Sequence, residues 1–423
     1  MIVFFCIAMI VSGVFFLFSV RRFDLFSLSY LGALIYFLPG FFGYVNYPMH
    51  FGFYRAPIVP LTYWIYILVV VGITVGAIVS DYYGRNAPPA RVRPWAGEEW
   101  ALPVLLWLMI AGIAWLFEEA GKEVFNPDKV EAILFFGRGY VLFSTSLMVL
   151  APTAILSRKP LYIAAAALGM CFDLYMGYRL TAAISFVAAM TLYLNQKQPM
   201  SVALRYWSQG LIASLVVIVF MMYKLVIFAI RIGNRDLLLR IVNSPNFATD
   251  AIMQSEPFTI QGILNKIVET GFTVPFDHFS NLLYNVTVGA DLFGADIHGF
   301  EDYYHPVLFP RVRFGMSSNI WGEMFASGGM LTLVAFILLF VLVTYALNRG
   351  MRRAPRLGMA MFANAGALWC FYIHRNNAVY QTSLMRRCFM VTAAVMILMA
   401  VLDSVAREMR QRRQAAPRLD GAP

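Results

Sequence analysis

Residues 319–347 read NIWGEMFASGGMLTLVAFILLFVLVTYAL. After Glu323 the run holds no charged side chain. At about 1.5 Å of rise per helical residue it is long enough to cross the roughly 30 Å hydrocarbon layer of a bilayer. Working outward, similar runs lie near 1–20, 25–45, 61–80, 101–117, 139–157, 160–176, 180–195, 208–228, 357–373 and 386–404. The sequence therefore predicts an all-α polytopic membrane protein, a bundle of about eleven transmembrane helices. The two halves of 160–195 are short and meet at Asp173–Arg179, so one tilted helix with a broken middle is the alternative there. Residues 1–20 lack a basic lead and end at Arg21-Arg22 with no small-residue cleavage site, the reverse of a secretory signal, and are expected to stay as a helix.

Composition agrees. Of 423 residues, 60% are apolar and 13% charged, against about 45–50% and about 25% in soluble chains. A soluble enzyme, a disordered chain and a disulfide scaffold are all excluded by these values. The four cysteines, Cys6, Cys171, Cys370 and Cys388, all fall in apolar runs without paired spacing, which suits neither disulfides nor a metal. The net charge of +10 follows from topology. With Arg21-Arg22 in the cytoplasm, 18 of the 33 basic residues fall in short cytoplasmic segments and 8 in short external ones. The positive-inside rule then places the N-terminus outside and the C-terminus inside. Clusters such as Arg349–Arg356 sit against anionic lipid, and no nucleic acid is needed to explain them.

Four parts result: transmembrane helices 1–8 over 1–228, one large periplasmic loop over 229–318 between spans 8 and 9, transmembrane helices 9–11 over 319–404, and a basic cytoplasmic tail over 405–423. Basic residues in or beside the loop stand where topology does not require them. Arg231 and Arg235 are four apart and share a helical face, with Lys224 on the same side. Two readings stand for this stripe: a phosphate or pyrophosphate site, since arginine matches phosphate oxygens in a bidentate fork, or snorkelling to lipid headgroups. Arg179 lies between two apolar runs, where arginine costs roughly 2.5–3.5 kcal/mol on insertion scales. Either it pairs with Asp173 or it contacts a phosphate or sugar at the outer rim. The later loop brings together His278, Asp296, His298, Glu301, Asp302, His305, Arg311 and Arg313. No spacing there suits a metal, no nucleophile motif occurs, and no cofactor is called for. The Pro306 and Phe309-Pro310-Arg311 stretch predicts a rigid turn presenting His305 and Arg311, with acid/base work by His or Glu as the available chemistry. Glu323 opens the ninth span, where compensation of the helix dipole is its simplest role. Gly328 and Gly329 suggest close helix packing.

Three of these features together resemble bacterial O-antigen polymerases of the Wzy type and the related O-antigen ligases. Gly177-Tyr-Arg179 looks like the family's Gly-Ser-Arg segment between mid-chain spans. Phe309-Pro310-Arg311 is similar to the Phe-Pro segment closing its loop. Gly315–Gly329 is similar to the Gly-x-Ser…Glu…Gly block that begins the following span. The ligases' histidine just before that span has no counterpart in Gly315-Met-Ser-Ser-Asn319, which favours polymerase. The resemblance implies a metal-independent polymerase in the bacterial inner membrane. It would join undecaprenyl-pyrophosphate-linked repeat units at the periplasmic face and release undecaprenyl pyrophosphate. Its partners would be membrane lipids and the pathway's chain-length regulator and flippase. On this reading Arg179, Arg231 and Arg235 hold pyrophosphate, Arg311 and Arg313 close over it, and Arg235 stabilises the leaving group's growing charge. Glu301, His305 and Glu323 orient or deprotonate the acceptor hydroxyl. Competing classes are a ligase, a transporter or flippase of lipid-linked sugars, whose mark would be interrupted helices and repeat symmetry, and a membrane scaffold.

Overall fold

The computed structural model describes residues 1–19, 21–49, 53–84, 95–126, 135–205, 207–208, 235–243, 255–288, 298–312 and 316–415. The expected span at 208–228, apart from Ser208, therefore lies outside the described residues, as do Lys224, Arg231, Asp296 and Arg313. In chain order the elements are α1 (Ile2–Gly13), α2 (Leu25–Tyr36), α3 (Pro39–Phe42), a hairpin of β1 (Tyr44–Pro48) and β2 (Phe53–Pro57), α4 (Pro60–Gly84), α5 (Ala101–Ala120), α6 (Arg138–Ser157), α7 (Pro160–Tyr175), α8 (Leu180–Leu194) and α9 (Pro199–Arg205). There follow α10 (Arg235–Val242), α11 (Glu256–Thr270), α12 (Phe276–Val288), α13 (Phe300–Leu308), α14 (Ile320–Arg353), α15 (Arg356–Cys370) and α16 (Ala378–Ala415).

The chain is a helical membrane protein. Five stretches are long and apolar enough to cross a bilayer: Pro60–Tyr83, Glu98–Phe125, Arg138–Ser157, Ile320–Arg353 and Ala378–Gln411. Ile2–Phe18, Leu25–Tyr36, Pro160–Tyr175 and Leu180–Leu194 are shorter apolar helices. One sequence expectation changes. The run at 25–45 is not one span: its helix stops at Tyr36, α3 begins at Pro39, and Gly43 takes a left-handed turn (φ +79°) into the hairpin. The 160–195 stretch forms two helices, as the runs at 160–176 and 180–195 predict, parted at Gly177, whose φ of +85° suits glycine.

The chain forms two compact units. The first comprises Met1–Pro88, Tyr193–Asn348 and Gly366–Met385. In it, Gly72 and Gly76 of α4 face Ile337 and Val341 of α14, where an added Cβ would lie 2.5 Å from either side chain. Small residues four apart let two membrane helices approach closely in this way. α11 crosses β1 at Gly262, against the Asn46 carbonyl. Asn265 of α11 fastens the hairpin: its amide donates to Tyr47 Oη (2.7 Å) and the Pro57 carbonyl (3.1 Å), and its oxygen accepts from Val59 N–H (2.9 Å) and Thr62 Oγ1 (3.0 Å). That uses the full bonding capacity of a buried amide. At the start of α2, buried Arg21 donates to Asp24 and Asp81, Asp24 caps the helix with Ser27, and Asn348 donates to Asp24. Arg21 is thus an internal cross-link between the start of α2 and the end of α4.

The second unit comprises Pro89–Leu192, Arg349–Ala365 and Arg386–Pro423. Its centre is the contact of α5 with α6 around Leu105, Phe143, Leu147 and Leu150. Gly112 meets the backbone of Phe143, and Gly139 meets the backbone of Leu116, so each helix gives the other a glycine. Asn364 of α15 donates to the Met148 carbonyl (2.8 Å).

Candidate functional site

The first unit gathers buried polar groups around the start of α16. Four consecutive polar residues, His374-Arg375-Asn376-Asn377, separate the apolar helices α15 and α16. Asn377 caps α16 by accepting from Tyr380 N–H (2.6 Å). Asn319 caps α14 by accepting from Trp321 and Gly322 N–H groups, both at 3.1 Å, and its amide reaches the Ile260 carbonyl and Gln261 on α11. Both asparagines do what short polar side chains do at helix starts, and together they fix two helix ends beside each other.

Glu323 projects into this junction and is fully buried. Oε2 accepts from the backbone N–H of Ala378, the first residue of α16, at 2.7 Å. Oε1 lies 2.9 Å from His278 Nε2, on α12, in a pair with no exposure on either side chain. Glu323 lies in the first turn of its own helix, where the sequence predicts dipole compensation, and it also serves the start of a second helix, α16. A helix start favours negative charge, so the carboxylate accepts both bonds and Nε2 carries hydrogen. His278 Nδ1 is buried without a partner among the described residues. Its ring meets Tyr303 at 5.0 Å and Phe300 at 5.8 Å.

Glu301, in the first turn of α13, joins the same helix start by another route, since Asn377 Nδ2 donates to its Oε2. Burial raises the Glu301 pKa, with the Asn377 bond lowering it and the charge of Glu323 adding to the rise. Arg375 donates to Glu256 (2.6 Å) and to Ser317 Oγ (3.4 Å), over the ring of Tyr372. Burial disfavours its charge, but Glu256 outweighs burial and the pKa is raised. His374 accepts from Trp321 Nε1 (3.0 Å) through Nδ1, so its Nε2 carries the hydrogen. Burial holds this imidazole neutral, its pKa down at about 3.

Of the expected site residues, Glu301 and Glu323 are brought together. His305 stands apart from them in its bonding: its Nε2 donates to the Val312 carbonyl (3.0 Å), closing the turn through Phe309, Pro310 and Arg311. The rigid turn is present, but His305 holds it rather than being presented by it. Arg311 is exposed on that turn, and Arg235 is exposed at the start of α10. Arg179 belongs to the second unit, where its carbonyl opens α8 by accepting from Ala183 N–H (2.9 Å). It does not pair with Asp173, which accepts from Tyr140 Oη (3.0 Å). Among the described residues, no three His, Cys, Asp or Glu side chains lie close enough together to hold a metal.

Gly328 and Gly329 also act differently from expectation. Both leave helical geometry and split α14, Gly329 with φ +65° and ψ −151°. Among the described residues nothing lies within 4 Å of a Cβ built on Gly329, so close packing against them is not its role. Glu323 therefore rides on a two-turn half-helix, and Val274 N–H satisfies the Ala326 carbonyl near its end (3.1 Å). Irregular backbone inside an apolar run is tolerated where protein satisfies the freed groups, and in membrane proteins it marks binding sites.

No protein-family model, no curated protein and no solved structure matches this chain.

Proposed function

We propose that this protein is a lipid-linked oligosaccharide polymerase of the Wzy type, acting at the periplasmic face of the bacterial inner membrane. Its N-terminus would lie outside and its C-terminus inside. The observation carrying this reading is the buried Glu323–His278 pair on the start of α16, with Glu301 held to the same helix start through Asn377. A buried carboxylate–imidazole pair is equipped to move a proton, and the proposed reaction needs one moved. The acceptor hydroxyl of one lipid-linked unit loses its proton while attacking the anomeric carbon of another. The C1–O bond to undecaprenyl pyrophosphate breaks, and the leaving oxygen takes the electron pair. Arg179, Arg231, Arg235, Arg311 and Arg313 are the cations proposed for the pyrophosphate, and the pathway's chain-length regulator and flippase are the proposed partners. The Gly315–Gly329 resemblance adds support, because Glu323 is that block's acidic residue.

The test is the surface glycan of a gene deletion run beside its complemented strain. Collapse of the ladder to lipid A–core bearing a single repeat unit is the expected result. Loss of all O-antigen from lipid A with polymer retained on undecaprenyl pyrophosphate would replace polymerase with ligase. A second reading, a transporter of lipid-linked sugars, is favoured by the interruption of α14 at Gly328-Gly329. In that case repeat units would accumulate on the cytoplasmic side in the deletion strain.

A further inference from the structure

The sequence assigns no role to His278 beyond membership of a polar loop, yet it is the one imidazole bonded to a buried carboxylate among the described residues. Taking the glycosyl-transfer reading as its basis, we infer that His278 is the general base of this site and that Glu323 is its positioning residue. Glu323 is fixed from the far side by Ala378 N–H (2.7 Å), so its other oxygen holds the imidazole in place at 2.9 Å. Hydrogen on Nε2 leaves Nδ1 as a lone pair. That nitrogen is the one lacking a partner among the described residues, although His278 is fully buried. An imidazole with one nitrogen tied to a carboxylate and the other open to a hydroxyl is the arrangement that activates hydroxyl nucleophiles on unrelated folds.

The surroundings suit a sugar. Phe300 and Tyr303 wall the ring, and aromatic faces suit the apolar faces of pyranose rings. Tyr303 is half-buried while His278 and Phe300 are covered, and on this inference the acceptor approaches Nδ1 on the Tyr303 side. In the step, the acceptor O–H bond breaks and its proton moves to Nδ1, while the oxygen forms the new glycosidic bond and the donor's C1–O bond cleaves. The imidazolium faces the Glu323 carboxylate and later returns the proton to the released pyrophosphate.

The test uses the full chain in lipid nanodiscs with the lipid-linked glycan that accumulates in a strain lacking this gene. His278→Gln is expected to lower kcat by about 10²–10⁴-fold, the usual worth of a positioned base, with KM within about threefold. Glu323→Gln is expected to lower kcat in the same direction with KM preserved, and it decides the matter if His278→Gln does not fold. Imidazole added to His278→Ala is expected to restore part of the rate. Wild-type kcat in both His278→Gln and Glu323→Gln, or a loss confined to KM, overturns the inference and leaves the polymerase reading standing. No turnover by the wild-type chain overturns both.

Discussion

Glu323→Ala removes one acceptor for two buried donors. It strands the Ala378 N–H and the His278 Nε2–H, and a buried group left unpaired costs about 1–3 kcal/mol. The expected loss is therefore about 2–6 kcal/mol, a large share of the roughly 5–15 kcal/mol that stabilises a folded domain. His278→Ala strands the carboxylate on one side only, because Ala378 still donates to Oε2. It also opens a cavity against Tyr303 and Phe300. In the double variant the two stranded partners are absent together, so its cost should fall short of the sum by about 1–3 kcal/mol, within the range for groups in direct contact. SDS-titrated unfolding of the purified chain, followed by tryptophan fluorescence, reads this directly, since Trp321 lies two residues from Glu323. Additivity within about 0.5 kcal/mol would show that the pair is not formed, and both the site and the base assigned to it would fall.

Four further outcomes follow from the same structure. Gly112→Ala and Gly139→Ala each place a Cβ in overlap with a backbone nitrogen of the facing helix, that of Phe143 and of Leu116 respectively, against an ordinary carbon contact of about 3.5–4.0 Å. Each should cost about 1–3 kcal/mol, and together less than the sum, because one separation of α5 from α6 relieves both; thermal unfolding midpoints check this. Burial raises the Glu301 pKa in the folded chain, so the folded state holds the proton more tightly than the unfolded one. Stability should fall as pH rises from the ordinary carboxylate value of about 4.3 through the raised one, and Glu301→Gln should flatten that fall in midpoints measured against pH. Gly329→Ala, at φ +65° and ψ −151°, should lose about 1–3 kcal/mol of unfolding free energy from strain, whereas an unchanged SDS midpoint would mean that the break is not fixed. Arg235→Ala should shorten the glycan ladder far more than Arg349→Ala at matched protein levels, and equal ladders would remove Arg235 from the pyrophosphate role.

The five long apolar helices are legible because long apolar runs need no tertiary partner to be recognised. Residues 25–45 were misjudged because hydropathy averages over Pro39-Gly40 and Gly43, whose backbone geometry ends α2 and turns the chain into a hairpin. Tyr44, Val45 and Tyr47 are good strand formers, yet in an apolar run they read as helix. Glu301 and Glu323 were visible as isolated acids near apolar segments. Their neighbours were not: His278 is 45 positions from Glu323 and Asn377 is 76 from Glu301, and nothing local joins such residues. Arg375 was counted only as an external charge, although the run His374–Asn377 between two apolar helices was the available signal. Gly328-Gly329 was read as a packing face because sequence alone does not separate a glycine that admits a neighbour from one that takes a left-handed backbone.

The interruption of α14 and the position of Glu323 have one physical explanation. In an unbroken helix continuous with the span, the orientation of Glu323 would be set by Met330–Arg353 and their packing. With the break, the half-helix from Ile320 to Ser327 is oriented by Asn319 against α11, by Val274 at its far end and by Trp321 against His374. Those contacts aim the carboxylate at the start of α16, where backbone N–H groups lack helical partners and favour an anion. A bond of 2.7 Å to one such group then leaves the second oxygen for His278. The interruption at Gly329 forgoes regular helical bonding and the burial of charge at Glu323 forgoes hydration, so each is unfavourable alone. Their occurrence on one short segment, beside a second carboxylate and an imidazole with an open nitrogen, is what separates this junction from an ordinary helix crossing and makes it the place to look for chemistry.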